Sequence, residues 1–395
     1  MRRVYFGADN IITSLGFSTE ENAENIYNGI TGIKVFENLD LYPSPVAFSS
    51  INTHDLESHF SETLKKSCIS ASEIRNLSRL EKMFLTSIAG ALQNSPVDLS
   101  DPRTILIIST TKGNIDQIDH RPSKIDNRQS RLRLWEMAGY IAKLLHCYHV
   151  PLVVSNACTS GSVATMLGAR LIASGLYDHA IVTGGDIVSE FVVSGFNAFQ
   201  ALSPAPCRPF DADRTGLSLG EGCGTVLLTA DVSKTGTEKP VIYLGGATSN
   251  DANHISGPSR DGEGLYLAIS AAMEEAGIKP GELDFISAHG TATPYNDEME
   301  SLALAWAGLE KVPVNSFKGY IGHTLGAAGL IEIILSAYSI KNDILFKSIG
   351  YENNGVSRPL NIIKENKNTP VRTVLKTASG FGGCNAAAVI GEINV

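Results

Sequence analysis

Cysteines are scarce in this chain, six among 395 residues, and no two of them are spaced as CxxC. Histidines, cysteines and carboxylates nowhere show metal-ligand spacing, so a bound metal is not expected. Scattered thiols in a long chain suit a reducing compartment, and a cytoplasmic protein with free cysteines is the expectation. Long hydrophobic runs are missing as well: nowhere do eighteen apolar residues follow one another, which weighs against a membrane-spanning helix. The N-terminal MRRVYFGADN carries two arginines but reaches Asp9 and Asn10 before an apolar h-region develops, so a signal peptide is not expected. Basic residues are outnumbered, 32 Lys and Arg against 41 Asp and Glu for a net charge of −9, which argues against nucleic acid as a partner.

What is present is core. Hydrophobic residues make up 43% of a chain too long for the usual single domain, so two domains or a duplicated core are expected. Apolar β-branched runs (RTILIIST, VPLVVSNA, HAIVTGGD, GTVLLTA, PVIYLGGAT, DFISAHG, VPVNSF, TVLKTAS, AAAVIGEI) predict strands. Between them SVATMLGARLIASG, GEGLYLAISAAMEEAG, NDEMESLALAWAG and AAGLIEIILSAYSI show helical spacing, with closing glycines suited to C-caps. Such alternation predicts α/β layers with sheets covered on both faces. The polar stretch 230–240 is the best boundary, giving halves 1–235 and 236–395. VVSNACTSG in the first half and KTASGFGGCN in the second both run a strand into a small-residue turn, a hint of duplication. Residues 110–150 are less regular and are read as an excursion for a cap or dimer contact.

Five blocks carry candidate chemistry. Cys158 lies between an apolar strand and a small-residue helix, where N–H groups and the dipole would stabilise a thiolate; on spacing alone a buried inert cysteine fits equally. Thr159 and Ser160 beside it are short and leave room for a substrate. His289 ends a strand before the threonine-rich turn of Thr291 and Thr293, a place for a donor facing a cleft or for a loop histidine bonded to backbone. Lys318 and His323 stand among small residues that open another helix. The glycines of TASGFGGCN surround Phe381 without GxxxxGK[ST] or GxGxxG spacing, so a movable flap fits better than a phosphate cradle. RPFDADRTGLSLGEG is charged and glycine-rich, and is read as an ion-pair network that fixes loops.

Together the blocks NACTSG, RPFDxxRxGxxxGEG, HGTxTPxxDxxE, KxxxGHxxGAAG and GFGGxN, in this order, resemble the β-ketoacyl-ACP synthases (KAS I/II-like condensing enzymes of the thiolase superfamily). The resemblance spans nearly the whole chain. It implies the thiolase fold, two duplicated αβαβα halves in a layered α/β/α/β/α core, which usually dimerises. It also implies decarboxylative condensation of a Cys158-bound acyl chain with malonyl-ACP in fatty-acid or polyketide synthesis. Carried over by motif, Cys158 is the acyl-accepting nucleophile, His289 and His323 are the paired histidines, and Lys318 is the family's lysine. Phe381 is the gate, and its N–H with that of Cys158 forms the oxyanion hole. Asp297, Glu300 and Glu332 support the histidine and lysine loops, with Thr291, Thr293, Ser379, Gly380 and Gly382 around them. No cofactor is implied, because the substrates ride on the phosphopantetheine of an acyl carrier protein.

Two departures matter. Ser379 stands where the family's NSFGFGG carries a phenylalanine, which implies a wider or more polar cavity. The segment from Gly113 to Cys158 is shorter than usual. Both point to a specialised ketosynthase, for polyene, aryl-primed or other secondary-metabolite chains. Candidate basic contacts for an acidic carrier are Arg121, Lys124, Arg128, Arg131 and Arg133, or Lys65, Lys66 and Arg75. A homodimer is expected, with a heterodimer beside a chain-length-factor-like partner as the alternative. A thiolase, with Cys384 as its second cysteine, is disfavoured by the histidines of HGTATP and GHTLGAAG. A non-catalytic homologue is disfavoured by the retained cysteine, histidines and lysine.

Overall fold

The computed structural model describes residues 2–37, 44–65, 74, 76–93, 95–118, 131–255 and 257–393. Eleven strands form the hydrogen-bonded frame: β1 (Tyr5–Ile12), β2 (Thr104–Ser109), β3 (Leu152–Val154), β4 (His179–Asp186), β5 (Gly222–Thr229), β6 (Val241–Asn250), β7 (Phe285–Ser287), β8 (Pro313–Asn315), β9 (Asn361–Ile362), β10 (Thr373–Gly380) and β11 (Cys384–Glu392). Their order is β9-β8-β7-β10-β11-β6-β1-β5-β4-β2-β3. Each of the predicted runs overlaps one of them, and β9 lies outside every run. β1 was not expected from the sequence: Asp9 and Asn10 interrupt its apolar character, and a register shift between Phe6 and Asp9 breaks the alternation.

The order contains a repeat. On one side β3, β2 and β4 are parallel, followed by antiparallel β5 and β1. On the other, β8, β7 and β10 are parallel, followed by antiparallel β11 and β6. The two series meet where Tyr5 and Phe6 pair with Ile242 and Val241, and the Tyr243 N–H donates to the Val4 carbonyl beside them. By place in the sheet, the strand before Cys158 corresponds to β8, which leads into Lys318 and His323. The turn of Phe381 corresponds instead to the end of β4. The likeness between VVSNACTSG and KTASGFGGCN is therefore one of composition, and the repeat lies elsewhere.

Helices complete the layers: α1 (Arg79–Leu92) lies on β1, β4 and β5, and α3 (Glu263–Ala276) lies on β6 and β11. Between the two strand series sit α2 (Ser160–Ala173) and α4 (Ala328–Asn342), packed on one another. α4 touches strands of both series, and its residues from Ala328 to Ala337 are all buried. An all-round buried helix needs no polar face, which is why AAGLIEIILSAYSI reads as nearly continuous apolar sequence. The two central helices approach closely because glycines meet: a Cβ on Gly161 would stand 2.6 Å from the Leu330 nitrogen, and one on Gly329 2.8 Å from that of Ser162. Within 110–150, the helix Leu134–Leu144 buries Met137, Ala138 and Ile141 in the core over α1.

Candidate active site

α2 and α4 begin side by side, and the side chains singled out in the sequence gather there. Cys158 follows β3 by a turn in which Ala157 takes a positive φ of 45°, a strained conformation for a non-glycine residue that costs of order 1–3 kcal/mol. The turn is fixed by its own side chains: Thr159 Oγ1 donates to the Asn156 carbonyl at 2.7 Å, and Ser160 Oγ donates to the Ala157 carbonyl at 2.6 Å. Both residues are fully buried. They hold the cysteine rather than making room for a substrate, as their size alone had suggested. Cys158 directly precedes the N-cap Thr159, yet burial pushes its thiol up to about 12, with Lys112 and Lys318 opposing. Burial thus holds the Cys158 sulfur as a thiol at neutral pH, not as the preformed thiolate that a helix start implies on its own.

Opposite stand two imidazoles. The rings of His289 and His323 are edge-to-face with centroids 5.1 Å apart, and both are 2% exposed. The His323 Nδ1 accepts the Leu325 N–H at 3.3 Å. The His289 Nδ1 faces the Lys318 ammonium at 3.3 Å. Both of these partners donate, so each Nδ1 accepts and each Nε2 carries the proton. Burial first, and then Lys318, hold both histidines well below the usual imidazole range. The pair is neutral at pH 7 and can donate two N–H groups to one developing anion.

Behind the histidines, Lys318 donates to the His289 carbonyl at 2.5 Å and pairs with Glu332 at 2.7 Å. Glu332 also pairs with Lys376 at 2.5 Å, and Lys376 donates to the carbonyls of Ser287, Ala288 and Thr377. All three side chains are buried. Glu300 accepts the backbone N–H groups of His289 and Gly290 at 2.8 and 2.7 Å, and the Thr377 hydroxyl at 2.6 Å. Asp297 accepts those of Thr291, Ala292 and Phe210, and its burial raises the carboxyl to about 6. These acids and lysines set the backbone and ring positions; none of them lines the cavity. The charged block behaves as an ion-pair network: Arg208 pairs with Asp211 and Glu352, and Arg79 with Glu221.

A cavity of about 210 Å³ opens over Cys158, His289 and His323, with Thr291, Thr293, Ser379, Gly380 and Phe381 in its wall. Gly380 is required here, since a Cβ would lie 3.0 Å from the Cys158 nitrogen and 2.9 Å from the Cys384 sulfur. The Phe381 ring leans on Phe196 and Phe199. Ser379 donates to Asn385 at 2.7 Å, and Asn385 donates to Asp251 at 2.7 Å, so a polar chain occupies this side of the wall. Gly382 lies outside, with its N–H on the Ile255 carbonyl. Lys376, Thr377 and Asp186 were not anticipated from the sequence. Of the basic candidates, Arg131 is committed to Glu81 in a buried ion pair and is not a free contact. Arg133 and Lys65 are exposed, and Arg121, Lys124, Arg128, Lys66 and Arg75 lie outside the described residues. Among the described residues no cluster of His, Cys, Asp and Glu is arranged to hold a metal ion, and no helix is long and apolar enough to cross a membrane.

The family model for the β-ketoacyl synthase N-terminal domain matches residues 2–232, and that for its C-terminal domain matches residues 241–352. The chain belongs to the β-ketoacyl synthase family. It is an acyltransferase-type condensing enzyme with the thiolase-like fold. A putative mitochondrial 3-oxoacyl-[acyl-carrier-protein] synthase of Schizosaccharomyces pombe is 27% identical over 426 aligned residues, covering 98% of each chain. The 3-oxoacyl-[acyl-carrier-protein] synthase 2 of Staphylococcus aureus is 27% identical over 415, again covering 98% of each. Among solved structures, the ishigamide ketosynthase/chain length factor superposes with a TM-score of 0.86 at 25% identity over 99% of both chains. A chain of the complex of the ketosynthase ApeO with its chain length factor ApeC, from Xenorhabdus doucetiae, gives 0.84 at 26% identity, covering 99% of this β-ketoacyl synthase and 98% of the matched chain.

Proposed function

We propose that Cys158 carries the growing acyl chain while His289 and His323 together hold the enolate of a malonyl thioester. The observation that carries this reading is the pair of neutral, edge-to-face imidazoles with both Nδ1 atoms occupied, sharing one cavity with the cysteine. In the first half-reaction the Cys158 sulfur attacks the acyl thioester, the carrier thiol leaves, and it takes up the proton that Cys158 gives up. The backbone N–H groups of Cys158 and Phe381 receive the tetrahedral oxyanion, and the Phe381 ring gates the acyl pocket. In the second, the bond from malonyl C2 to its carboxylate breaks, carbon dioxide leaves, and the electron pair passes to the thioester oxygen as an enolate. The two Nε2–H groups stabilise that charge, C2 attacks the Cys158 thioester, and the sulfur departs. Lys318, bridged through Glu332, orients His289. The reaction as written uses no metal or organic cofactor.

The substrates of this chemistry arrive on an acyl carrier protein, the carrier for which the curated relatives are named, and the cytoplasm is the compartment we favour for this chain. Two of the solved neighbours pair a ketosynthase with a chain length factor, and the edge of this sheet supports a comparable partner. β3 ends the strand order; Leu152 in it, Val150 two residues before it and Trp135 on the neighbouring helix Leu134–Leu144 are exposed apolar side chains. A second ketosynthase-fold chain on β3 is the arrangement we favour. The hydroxyl of Ser379 supports a specialised primer, and the competing primers are saturated medium chains.

Removing one preorganised donor costs roughly 10² to 10³ in rate. His289→Ala and His323→Ala are each expected to slow condensation with malonyl-ACP by that factor while Cys158 is still acylated. Condensation at the unchanged rate in both variants would refute the assignment.

A further inference from the structure

Asp186 closes β4 and is 2% exposed. Its contacts all come from donors. Thr110 Oγ1 donates at 2.9 Å, the Thr111 N–H at 2.9 Å, Thr111 Oγ1 at 3.0 Å and the Gly326 N–H at 2.7 Å. The nearest cation is on the neighbouring Lys112, whose ammonium donates to Thr111 Oγ1 at 3.2 Å. Burial raises this carboxyl above the ordinary carboxylate range, and Lys112 with the N–H donors pulls it back. A site made of donors fits the anion.

The location gives this anion a task. Gly326 follows Leu325, which has a positive φ of 52°, a left-handed conformation that a branched side chain avoids. The N–H of that strained residue is the one that occupies His323 Nδ1. Nothing in a Leu-Gly-Ala turn favours this backbone, so an external hold is required. Asp186 supplies it by taking the next N–H in line. The fit is close, because a Cβ on Gly326 would stand 2.7 Å from Asp186 Oδ2 and 2.9 Å from the Thr111 nitrogen.

We propose that Asp186 is a positioning residue for His323: it pins the strained Leu325–Gly326 turn so that the Leu325 N–H occupies Nδ1 and the ring presents Nε2–H to the extender. The carboxylate touches no substrate. It acts chiefly through one hydrogen bond on one ring, and so chiefly on the decarboxylative half-reaction; its charge is only the smallest of the influences that raise the Cys158 thiol. The inference rests on the role given above to His323, and the test separates the two.

The experiment measures both half-reactions, acylation of Cys158 by acyl-ACP and its discharge by malonyl-ACP, for Asp186→Asn alone and combined with His323→Ala. An amide turns an N–H₂ group toward the donors and releases the turn. A small displacement of a catalytic group costs up to about 10²-fold, so discharge should slow by about 10- to 100-fold while acylation changes less than about twofold. In the His323→Ala background Asp186→Asn should cost nothing further. Gly326→Ala, which crowds the same contact and leaves the carboxylate in place, should give the same pattern if Asp186→Asn fails to fold. Ring ¹⁵N signals of His323 should move from the pure Nε2–H form toward a mixture of tautomers. Equal losses in both half-reactions, or the same loss with and without His323, would overturn the inference. If His323→Ala alone left discharge intact, the role of His323 would fall first.

Discussion

A thiol that must be ionised to react, yet sits where ionisation is opposed, sets the behaviour of this site at the residue scale. Burial holds Cys158 at about 12, above the ordinary cysteine value, so its thiolate fraction rises with pH throughout the neutral and mildly alkaline range. Alkylation of Cys158 by iodoacetamide, followed by peptide mapping, should accelerate about tenfold per pH unit from 7 to 10 without levelling; a plateau beginning near pH 8 would contradict the assignment. The histidines move the other way. Their lowered pKa values keep them neutral as pH falls through 6.5, so condensation should not lose a donor geometry there. Much of this was legible from motif order, because Cys158, His289, Lys318, His323 and Phe381 each sit in a distinctive block. The supporting charges were less so. Lys376 lies inside the apolar run TVLKTAS and Glu332 inside AAGLIEIILS, and a single charge in a buried run must find an opposite charge. That signal was present for Lys376 but names no partner, and the pairing with Glu332 appears only once β10 and α4 are placed together. Asp186 gave less still, since an Asp at a strand end is ordinary turn chemistry.

At the scale of elements, the site depends on how closely α2 and α4 approach. One begins after Cys158 and the other after the turn of His323, so their separation fixes the distance between that sulfur and that ring. Gly161→Ala would place a methyl 2.6 Å from the Leu330 nitrogen and 3.0 Å from the Gly326 carbonyl oxygen. Overpacking of this kind costs about 1–3 kcal/mol, and thermal unfolding should show it together with slower condensation. An unchanged melting temperature with full activity would mean that the helices are not held by this contact. Strands were readable as short β-branched runs, and the central helices as long apolar ones, because burial on every side leaves a simple pattern. β1 was not readable, since its polar middle and register shift hide the period. The repeat was misplaced for a related reason: composition matched two turns, whereas hydrogen bonding between strands decides which are equivalent.

At the scale of the whole molecule, the five layers bury the reacting groups between two strand series, and among the described residues the sheet ends at β9 on one side and β3 on the other. Exposed apolar side chains along an unpaired edge favour strand addition by a second chain of the same fold. Leu152→Asp should therefore shift the protein, or its complex with a partner, toward the monomer in sedimentation velocity; an unchanged sedimentation coefficient would place the contact elsewhere. The layered architecture also underlies the proposed division of the chemistry into two steps, one at the start of α2 and one at the start of α4. That division is the central claim, and intact mass spectrometry tests it most directly. After incubation with acyl-ACP, the wild-type protein and the His323→Ala variant should both gain one acyl mass, and Cys158→Ala none. On adding malonyl-ACP the wild type should lose that mass while His323→Ala keeps it. An acyl adduct on Cys158→Ala, or discharge of His323→Ala as fast as the wild type, would contradict the account.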